Sequence, residues 1–312
     1  MRYRSLGTSG LEVSVVGLGC NNFGRKVDLA GTRAVVDAAI DAGITLLDTA
    51  DMYGGGGVSE RLLGEVLQHR RDRVVLATKF GHQGFDMGYG PAAGAKGGRA
   101  YVRRAVEASL RRLRTDHIDL YQMHTPDPVT PIEETLAALT ELVAEGKVRY
   151  VGNSNFAGWQ IAEAAHVARA GGYVPFVSAQ NLWSLLDREA EREVVPAARH
   201  YGLGVLPYYP LGNGLLTGNV RKGRALPAGS RIAERAHLAT EERIDTVERL
   251  AAWGEKRDRS VLDVAIGGLA AFPGCGSVIA GATTPEQVYA NAAAGDWEPT
   301  AEELAEIREL IG

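Results

Sequence analysis

The stretch Ile44-Thr-Leu-Leu-Asp-Thr-Ala-Asp-Met-Tyr53 is an apolar, strand-like run that ends in an acid, Asp48, and is followed after a short turn by a phenol. The next residues, Gly54 to Gly57, are all glycines and give the chain beyond the turn conformational freedom. An acid at a strand tip with a tyrosine just beyond it could handle a proton. In most stretches of this kind the aspartate merely ends a strand and the tyrosine lies on the surface in a turn. A functional role therefore requires partners from later strands.

Apolar runs and helical patterns alternate along the rest of the chain, and the strand-helix unit repeats about every thirty residues, the size of a βαβ unit. This rhythm predicts a wholly parallel sheet. Because eight parallel strands can be counted, we favour an α/β fold of the closed (β/α)8 TIM-barrel type over an open sheet. The predicted strands lie near 15–20, 45–50, 74–80, 118–124, 148–154, 176–181, 204–209 and 277–281, and the predicted helices near 30–42, 58–69, 99–114, 133–145, 157–170, 189–201, 241–256, 260–271, 284–294 and 300–311.

Two features extend the expected barrel at its ends. Residues Tyr3 to Ser14 alternate around a Gly-Thr-Ser-Gly turn and predict an N-terminal β-hairpin. A long Gly/Arg-rich segment, 212–239, interrupts the rhythm, and additional C-terminal helices follow it, the last of them signalled by the capping box of Thr300 and Glu303. No linker-like composition divides the chain, so we expect a single barrel domain over residues 1–312.

Composition and charge exclude several classes of partner. With 312 residues, 45% of them hydrophobic, the chain can bury a large core. A formal net charge of −4 provides no basic field for nucleic acid or an anionic membrane, which favours a small-molecule partner. Cys20 and Cys275 lie far apart without a CxxC motif or a histidine at metal-ligand spacing, so we expect reduced thiols and no metal site. Since no signal core or run of membrane-spanning length is found, we expect a cytoplasmic protein.

Two glycine-rich stretches resemble nucleotide-binding motifs and fail in detail. Gly17-x-Gly19 lies inside the first strand, and Asn22 stands where the dinucleotide fingerprint requires its third glycine. Gly54 to Gly57 is followed by Val58-Ser59, and a phosphate-binding loop would continue with Lys and Ser or Thr. Neither a Rossmann domain nor a P-loop is therefore predicted.

The C-terminal ends of the barrel strands carry a second acid-base set. Strand three ends in Lys79 and strand four in His124, and in a (β/α)8 barrel these ends share one rim with Asp48 and Tyr53. A solvated strand-end lysine and a turn histidine before Thr-Pro are ordinary explanations for each residue alone. Together, an Asp-Lys pair beside a phenol supplies what proton donation at neutral pH needs, because a neighbouring ammonium lowers the pKa of a phenol from its usual value of about 10. We expect Asp48 to hold Lys79 charged and oriented.

With these residues in place, the chain resembles the aldo-keto reductase family. The motifs occur in the order of that family across nearly the whole chain. What the resemblance implies is a (β/α)8 barrel that binds a nicotinamide cofactor without a Rossmann domain, with Tyr53 as proton donor, Lys79 and Asp48 tuning it, and His124 orienting the carbonyl. The motifs are Asp48-Thr-Ala-Asp-Met-Tyr-Gly, Thr78-Lys79, Asp119-Leu-Tyr-Gln-Met-His124, Gly146 to Phe156, Gln180-Asn, Pro207-Tyr-Tyr-Pro-Leu-Gly212 and Gly281 to Asn291.

The resemblance also implies where the cofactor and substrate lie. Ser154, Asn155 and Gln180 would hold the carboxamide and Tyr208 would stack on the ring, although a helix N-cap, a polar strand end and core packing also explain these residues. The loops 211–218 and 281–287 would hold the phosphates. The further expected cofactor contacts are Gly19, Cys20, Asp48, Tyr209, Pro210, Leu211, Gly212, Gly281, Thr283, Gln287 and Asn291. The expected pocket walls are Asn22, Phe23, Met52, Phe80, His124, Asp127 and Trp183.

Two positions depart from the pattern of the family. Tyr209 replaces the serine of the usual Tyr-Ser-Pro-Leu, which puts a bulky phenol near the diphosphate. Thr283-Thr284 stands where many relatives carry Lys or Arg, which leaves no obvious cation for an adenosine 2′-phosphate. NADP is still the expected cofactor. We expect NADPH to bind more tightly than NADH, but by a smaller margin than in relatives that carry a cation at this position. A charge run is more often merely solvated, but one on the segment after strand seven could substitute for the missing cation, namely Arg221, Lys222 and Arg224.

The predicted function is reduction of small aldehydes or ketones to alcohols by a monomeric enzyme, with hydride from nicotinamide C4 and a proton from Tyr53. The alternative is a nucleotide-sensing regulatory barrel resembling the channel-associated β subunits of the family, although cofactor binding alone does not require Tyr53 and Lys79 together. A metal-dependent barrel hydrolase would need clustered ligands at several strand ends, and His124 is the only histidine that ends a predicted strand.

Overall fold

Eight parallel strands form the central sheet of the computed structural model, which describes residues 1–312. The strands of the whole chain are β1 (Tyr3–Ser5), β2 (Glu12–Ser14), β3 (Val16–Gly19), β4 (Leu46–Asp48), β5 (Val75–Phe80), β6 (Ile118–Met123), β7 (Val148–Ser154), β8 (Phe176–Gln180), β9 (Gly204–Val205) and β10 (Val278–Gly281). From β3 to β9 each strand pairs with the next in the chain, and β10 pairs with β3. Parallel bridges from Val205 to Cys275 and from Tyr208 to Ile279 then close the ring, so the predicted barrel is confirmed.

The predicted hairpin, β1 with β2, covers the N-terminal end of the barrel. Its turn packs on the backbone before β9: Gly7 has a φ of 61°, and a Cβ there would lie 2.2 Å from the Gly202 carbonyl oxygen. Apolar side chains of the hairpin and of the barrel interior form one buried cluster, which comprises Leu6, Leu11, Val13, Leu46, Ala77, Leu120, Leu206 and Ile279. Because this end is filled, only the C-terminal end of the barrel is open to ligands.

The helices form a layer around the sheet, and each predicted helix is present. Their bounds are α1 (Leu29–Asp41), α2 (Val58–Val66), α3 (Arg99–Leu113), α4 (Ile132–Ala144), α5 (Gly158–Gly171), α6 (Val194–His200), α7 (Arg231–Glu234), α8 (Glu241–Glu255), α9 (Val261–Asp263), α10 (Pro285–Asp296) and α11 (Ala301–Ile311). The capping box of Thr300 and Glu303 is formed. None of these helices combines the length and apolar character that a membrane crossing requires.

Three helical regions differ from the prediction. The helix expected over 189–201 begins as a short 3-10 turn, and α6 starts only at Val194, because Pro196 lacks an amide hydrogen and fits only the first turn of a helix. The helix expected over 260–271 starts as α9 and continues as a π-helical turn, Val264–Gly268. The interruption at 212–239 contains the short helix α7, which the sequence pattern does not predict.

Gly64 allows α2 to contact the C-terminal end of α3. A Cβ at Gly64 would lie 2.3 Å from the Arg112 carbonyl oxygen and 2.6 Å from the Leu113 carbonyl carbon, both backbone atoms. We predict that Gly64→Ala lowers the free energy of unfolding by about 1–3 kcal/mol through overpacking, although alanine is otherwise the better helix former. The matched control is Gly268→Ala, since a Cβ there meets only Ile307 Cδ1 at 3.5 Å. Urea unfolding of both variants measures the difference, and equal stabilities would contradict the predicted clash.

Candidate active site

Asp48, Lys79 and His124 come from consecutive strands: Asp48 ends β4, Lys79 lies one residue before the end of β5, and His124 follows β6. Lys79 Nζ donates hydrogen bonds to Asp48 Oδ2 at 2.6 Å and to the Thr49 carbonyl at 2.9 Å, and it lies 3.5 Å from the Tyr53 hydroxyl. The Tyr53 and His124 rings meet edge to face with centroids 5.8 Å apart. The structure therefore brings together the four residues predicted as catalytic.

The second carboxylate oxygen of Asp48 accepts hydrogen bonds from two buried amides. Gln122 Nε2 donates at 3.1 Å and Gln180 Nε2 at 2.9 Å, so strands β5, β6 and β8 all hold the same acid. Sequence reasoning did not single out Gln122. The period-two alternation of a strand provides a signal for it, because Gln122 shares the inward face of β6 with His124 two residues later.

Burial determines which of these groups carry a proton. Burial alone lowers the pKa of Lys79, but the charge of Asp48, the nearby Tyr53 and hydrogen bonds to both outweigh it, and the pKa lies above the ordinary lysine value. Burial raises the pKa of the Tyr53 phenol, and Lys79 acts in the expected opposite direction without cancelling it. The expected net lowering is therefore not found, because removing water from the phenol outweighs the ammonium. At neutral pH the site holds a neutral phenol beside an ammonium.

His124 is neutral at the same pH. Burial lowers its pKa well below the ordinary histidine value, and the charge of Lys79 lowers it further. Its Nδ1 is buried without a hydrogen-bond partner, and Asn155 Nδ2 holds the His124 backbone through its carbonyl at 2.9 Å. A neutral imidazole can donate one hydrogen bond to a carbonyl oxygen, but it is not the form that releases a proton as an acid.

The polar residues expected at a nicotinamide form a connected platform on the adjoining rim. Tyr208 donates to Asn155 Oδ1 at 2.8 Å, and Asn155 has a left-handed backbone with a φ of 61°. Ser154 Oγ donates to the Gln180 carbonyl at 2.8 Å, while the Gln180 amide is held by Asp48. These links fix the ends of β7 and β8 and the segment after β9 relative to His124.

The residues expected at the outer part of a cofactor lie at the ends of β3 and β10. Gly281 is exposed at the end of β10, and a Cβ there would approach Asn22 Nδ2 to 3.7 Å. Thr283 donates from both its amide and its hydroxyl to Gln287 Oε1, at 2.8 and 3.1 Å. Asn291 is buried on α10. Cys20, next to Gly19, is fully buried, and burial raises the pKa of its thiol well above the ordinary value. Its amide donates to the Asp48 carbonyl at 2.9 Å and its carbonyl accepts from Ser59 Oγ at 2.9 Å, so the structure does not expose Cys20 as a cofactor contact.

The loop after β9 has an irregular backbone with left-handed residues close together. Positive φ angles occur at Tyr209 (53°), Gly212 (54°), Asn213 (60°) and Gly214 (108°), and Pro210 and Leu211 lie between them. The Gly212 and Gly214 amides donate to the Tyr209 and Leu211 carbonyls, at 2.9 Å each, so these turns are closed by hydrogen bonds within the loop itself.

Two arginines from the unpredicted part of the chain cover this loop. The guanidinium carbons of Arg231 and Arg235 lie 5.1 and 5.6 Å from the centroid of the Tyr209 ring. Arg231 also donates to Asn22 Oδ1 at 3.2 Å, and Arg235 to Asn213 Oδ1 at 3.1 Å. Burial lowers the pKa of Arg231, and repulsion from the neighbouring arginines adds to the effect. The bulky Tyr209 thus serves as a stacking surface for two cations that have only neutral hydrogen-bond partners.

The basic cluster expected to replace the missing cation has a different environment. Arg221 lies 3.5 Å from Glu248 and 3.3 Å from Glu255, and Lys222 Nζ lies 2.6 Å from Asp245, all on α8. The charges of Arg221 and Lys222 are therefore compensated by carboxylates on the outer helices, and the structure does not fold them over the barrel mouth.

The expected pocket walls need correction. Phe23, Phe80 and Trp183 are almost completely buried; Phe80 stacks on Tyr121, and Trp183 packs on Phe272 in the core. Phe80 is the last residue of β5 and follows the inward-facing Lys79, so its side chain points to the opposite face of the strand, toward the helices. The carboxylate of Asp127 is bound by the Gly97 and Val129 amides and by the Thr130 hydroxyl. The half-buried Met52 remains on the rim, together with Asn22 under Arg231.

Behind the catalytic turn lies a second acid, Asp51, which the sequence reading did not use. Both of its carboxylate oxygens are buried without a hydrogen-bond partner. Burial raises the pKa of Asp51 to about 7, the charge of Glu60 adds to this, and Arg112 offsets part of it. Burial and then the Asp51 charge raise the pKa values of Tyr101 and Tyr121, whose hydroxyls also lack partners.

Comparison with known proteins agrees with the geometry of the site. Residues 15–311 match the model of the Aldo/keto reductase family. A protein of Bacillus subtilis (strain 168), named as the uncharacterized oxidoreductase YrpG, is 40% identical over 295 residues, which cover 92% of this chain and 89% of the relative.

We predict that Asp51→Asn removes a pH-dependent loss of stability. Between about pH 4 and 7 the unfolded chain has released the Asp51 proton and the folded protein retains it, so the free energy of unfolding falls as pH rises through this window and levels off above it. Relative to the wild type, the variant should gain about 2–3 kcal/mol between roughly pH 5 and pH 8 in urea unfolding. The exposed control Asp72→Asn should show no such gain. A stability difference that is the same at both pH values would contradict the raised pKa.

Proposed function

The chain belongs to the aldo/keto reductase family, and from this premise we propose that it reduces the carbonyl group of small aldehydes or ketones with NADPH and uses Tyr53 as the proton donor. The observation that supports this most directly is the position of the Lys79 ammonium, fully buried, 2.6 Å from Asp48 and 3.5 Å from the Tyr53 hydroxyl. A buried ammonium is costly unless it is paired, and its placement beside a phenol favours the phenolate that proton donation leaves behind.

A bound NADPH supplies the hydride that reduces the carbonyl carbon. Tyr53 transfers its proton to the carbonyl oxygen as negative charge develops there, because it is fully protonated at neutral pH. Lys79 stabilises the resulting phenolate, and Asp48 keeps the lysine in place. His124 donates a hydrogen bond to the same oxygen and orients the substrate. All four groups are fixed before the substrate arrives, so little reorganisation is needed during the reaction.

The residues at the barrel mouth fit a dinucleotide. Asn155 and Tyr208 form a platform next to Tyr53 that suits the nicotinamide and its carboxamide. Arg231 and Arg235, which have no carboxylate partner and lie over Tyr209 in the loop after β9, provide positive charge for the diphosphate. The two arginines lie close together and have only neutral hydrogen-bond partners. An anion bound between them would relieve their mutual repulsion.

The preference for NADPH over NADH should be modest. Thr283 and Thr284 offer no cation to an adenosine 2′-phosphate, and Arg221 and Lys222 are paired with carboxylates on α8.

A regulatory barrel that only binds the nucleotide remains the alternative, but binding alone gives no reason to bury a lysine beside a phenol. Loss of turnover on removal of the phenol oxygen would distinguish an enzyme from a regulatory barrel.

Tyr53→Phe should lower carbonyl reduction by about 10²–10⁴-fold, because the ring remains and only the transferable proton is lost. The rate of NADPH oxidation with 4-nitrobenzaldehyde measures turnover, and quenching of tryptophan fluorescence measures cofactor affinity, which should be unchanged. The control is Tyr150→Phe, a tyrosine on β7 beside the hairpin at the closed end of the barrel. Nearly full turnover of Tyr53→Phe when chemistry limits the rate would show that another group is the donor.

Arg231→Ala should weaken NADPH and NADH binding alike, because the cofactor diphosphate is common to both. A charge-assisted contact contributes roughly 1.5–3 kcal/mol, which corresponds to about ten- to a hundredfold or more in the dissociation constant. Fluorescence titration at fixed low salt measures both constants. Arg169→Ala, an exposed arginine on α5, serves as the control and should leave them unchanged. A loss confined to NADPH would instead place Arg231 at the 2′-phosphate and contradict the diphosphate assignment.

A further inference from the structure

A second histidine, His82, lies next to the catalytic His124. It is in the loop between β5 and α3, three residues after Lys79. The two imidazole rings meet edge to face, with centroids 4.8 Å apart and an interplanar angle of 79°. His82 is only half-buried, so part of its side chain is exposed next to His124. The proposed mechanism makes no use of it.

The loop that carries His82 is held by many hydrogen bonds. Lys96 Nζ donates to the carbonyls of His82, Gln83 and Phe85, at 2.5, 3.1 and 2.7 Å, and forms no salt bridge with an acid. Thr125, the residue after His124, accepts from the Gln83 amide at 3.0 Å and donates to the Gly81 carbonyl at 3.1 Å. One lysine and one threonine thus fix this loop to the segment that carries the catalytic histidine, and a site residue held in this way is pre-organised.

The same loop determines which nitrogen of His82 carries the proton. The Gly84 amide donates to His82 Nδ1 at 3.1 Å, so Nδ1 is the acceptor and the proton of the neutral ring is on Nε2. Burial lowers the pKa of His82, and the charge of Lys96 lowers it further, so the ring is neutral at pH 7. The Nε2–H group has no acceptor within the protein. It is a free donor on a ring that contacts His124.

We propose that His82 positions the substrate by donating its Nε2–H to a second oxygen adjacent to the reacting carbonyl, so that α-hydroxy aldehydes and ketones are preferred over the corresponding simple carbonyl compounds. This inference rests on the proposed carbonyl reduction and specifies its substrate class. Two imidazoles with adjacent rings can each bind one of two neighbouring oxygens, the carbonyl at His124 and the hydroxyl at His82. A neutral donor suits a hydroxyl, whereas a carboxylate would be better matched by a cation.

The test compares lactaldehyde with propanal, which differ only by the hydroxyl at the second carbon. The variant His82→Phe keeps an aromatic ring against His124 and removes the donor. Its kcat/KM for lactaldehyde should fall by about tenfold, the equivalent of one hydrogen bond, and mainly through KM. Its kcat/KM for propanal should stay within about twofold of the wild type, because propanal has no second oxygen to lose a partner. His82→Asn retains a side-chain donor and should recover part of the lactaldehyde activity.

The outcomes separate this inference from the proposed function. An equal loss for both aldehydes in His82→Phe would mean that His82 acts through His124 or through the loop, and would overturn the proposed contact. An unchanged kcat/KM for lactaldehyde would overturn it as well. A wild type that reduces neither aldehyde, nor any other carbonyl compound in a Tyr53-dependent reaction, would overturn the proposed function and this inference with it.

Discussion

The buried ion pair of Lys79 and Asp48 is the interaction on which the rest of the site depends. Their side chains are only 0% and 3% exposed, and removing two charges from water costs several kcal/mol per ion. The cost is offset by the 2.6 Å contact between them and by hydrogen bonds from Lys79 to the Thr49 carbonyl and to Asp48 from Gln122 and Gln180. These partners come from strands far apart in the chain, so the pair is fully satisfied only when the barrel has formed. Fold and site are therefore coupled: a sheet that failed to close would leave a buried acid without two of its donors.

The ion pair also explains the division of roles among the titratable groups. Asp48 offsets part of the effect of the Lys79 charge on the Tyr53 phenol, and the remainder acts against the effect of burial on the pKa of that phenol. The same charge and burial keep His124 neutral. The site therefore contains one group that can release a proton and one that can only donate a hydrogen bond. Because this difference arises from fixed neighbours, it is present before any substrate binds.

The sequence predicts well which residues lie at the C-terminal ends of the barrel strands. It predicts poorly the course of the loops and of the segment 212–239 that cover these ends. Strand rhythm is a repeating, local signal, and the ends of parallel strands meet on one edge, so Asp48 and Lys79 could be placed together from their positions alone. Phe80 was misplaced because a single step along a strand reverses the face of the side chain. Arg231 could not be found, since it lies in a segment without periodicity whose course depends on contacts with Tyr209 and with the strand ends. His82 was missed for a similar reason: its proximity to His124 depends on a loop fixed by hydrogen bonds that leave no pattern in the sequence.

Asp51 is a buried acid without hydrogen-bond partners in the turn that leads to Tyr53. Its amide donates to the Lys79 carbonyl at 3.0 Å, so the extended backbone of β4 continues along β5 beyond Asp48. Side chains alternate along an extended chain, and the path that brings Tyr53 to the mouth turns residue 51 outward, against Glu60 and the helices. An apolar residue would fill that place without an unsatisfied carboxyl, so the acid breaks the rule that buried polar groups find partners. Violations of this kind concentrate at functional sites. The acid lies two residues from the proposed proton donor, at the base of the turn that positions the phenol, and it retains its proton up to about pH 7.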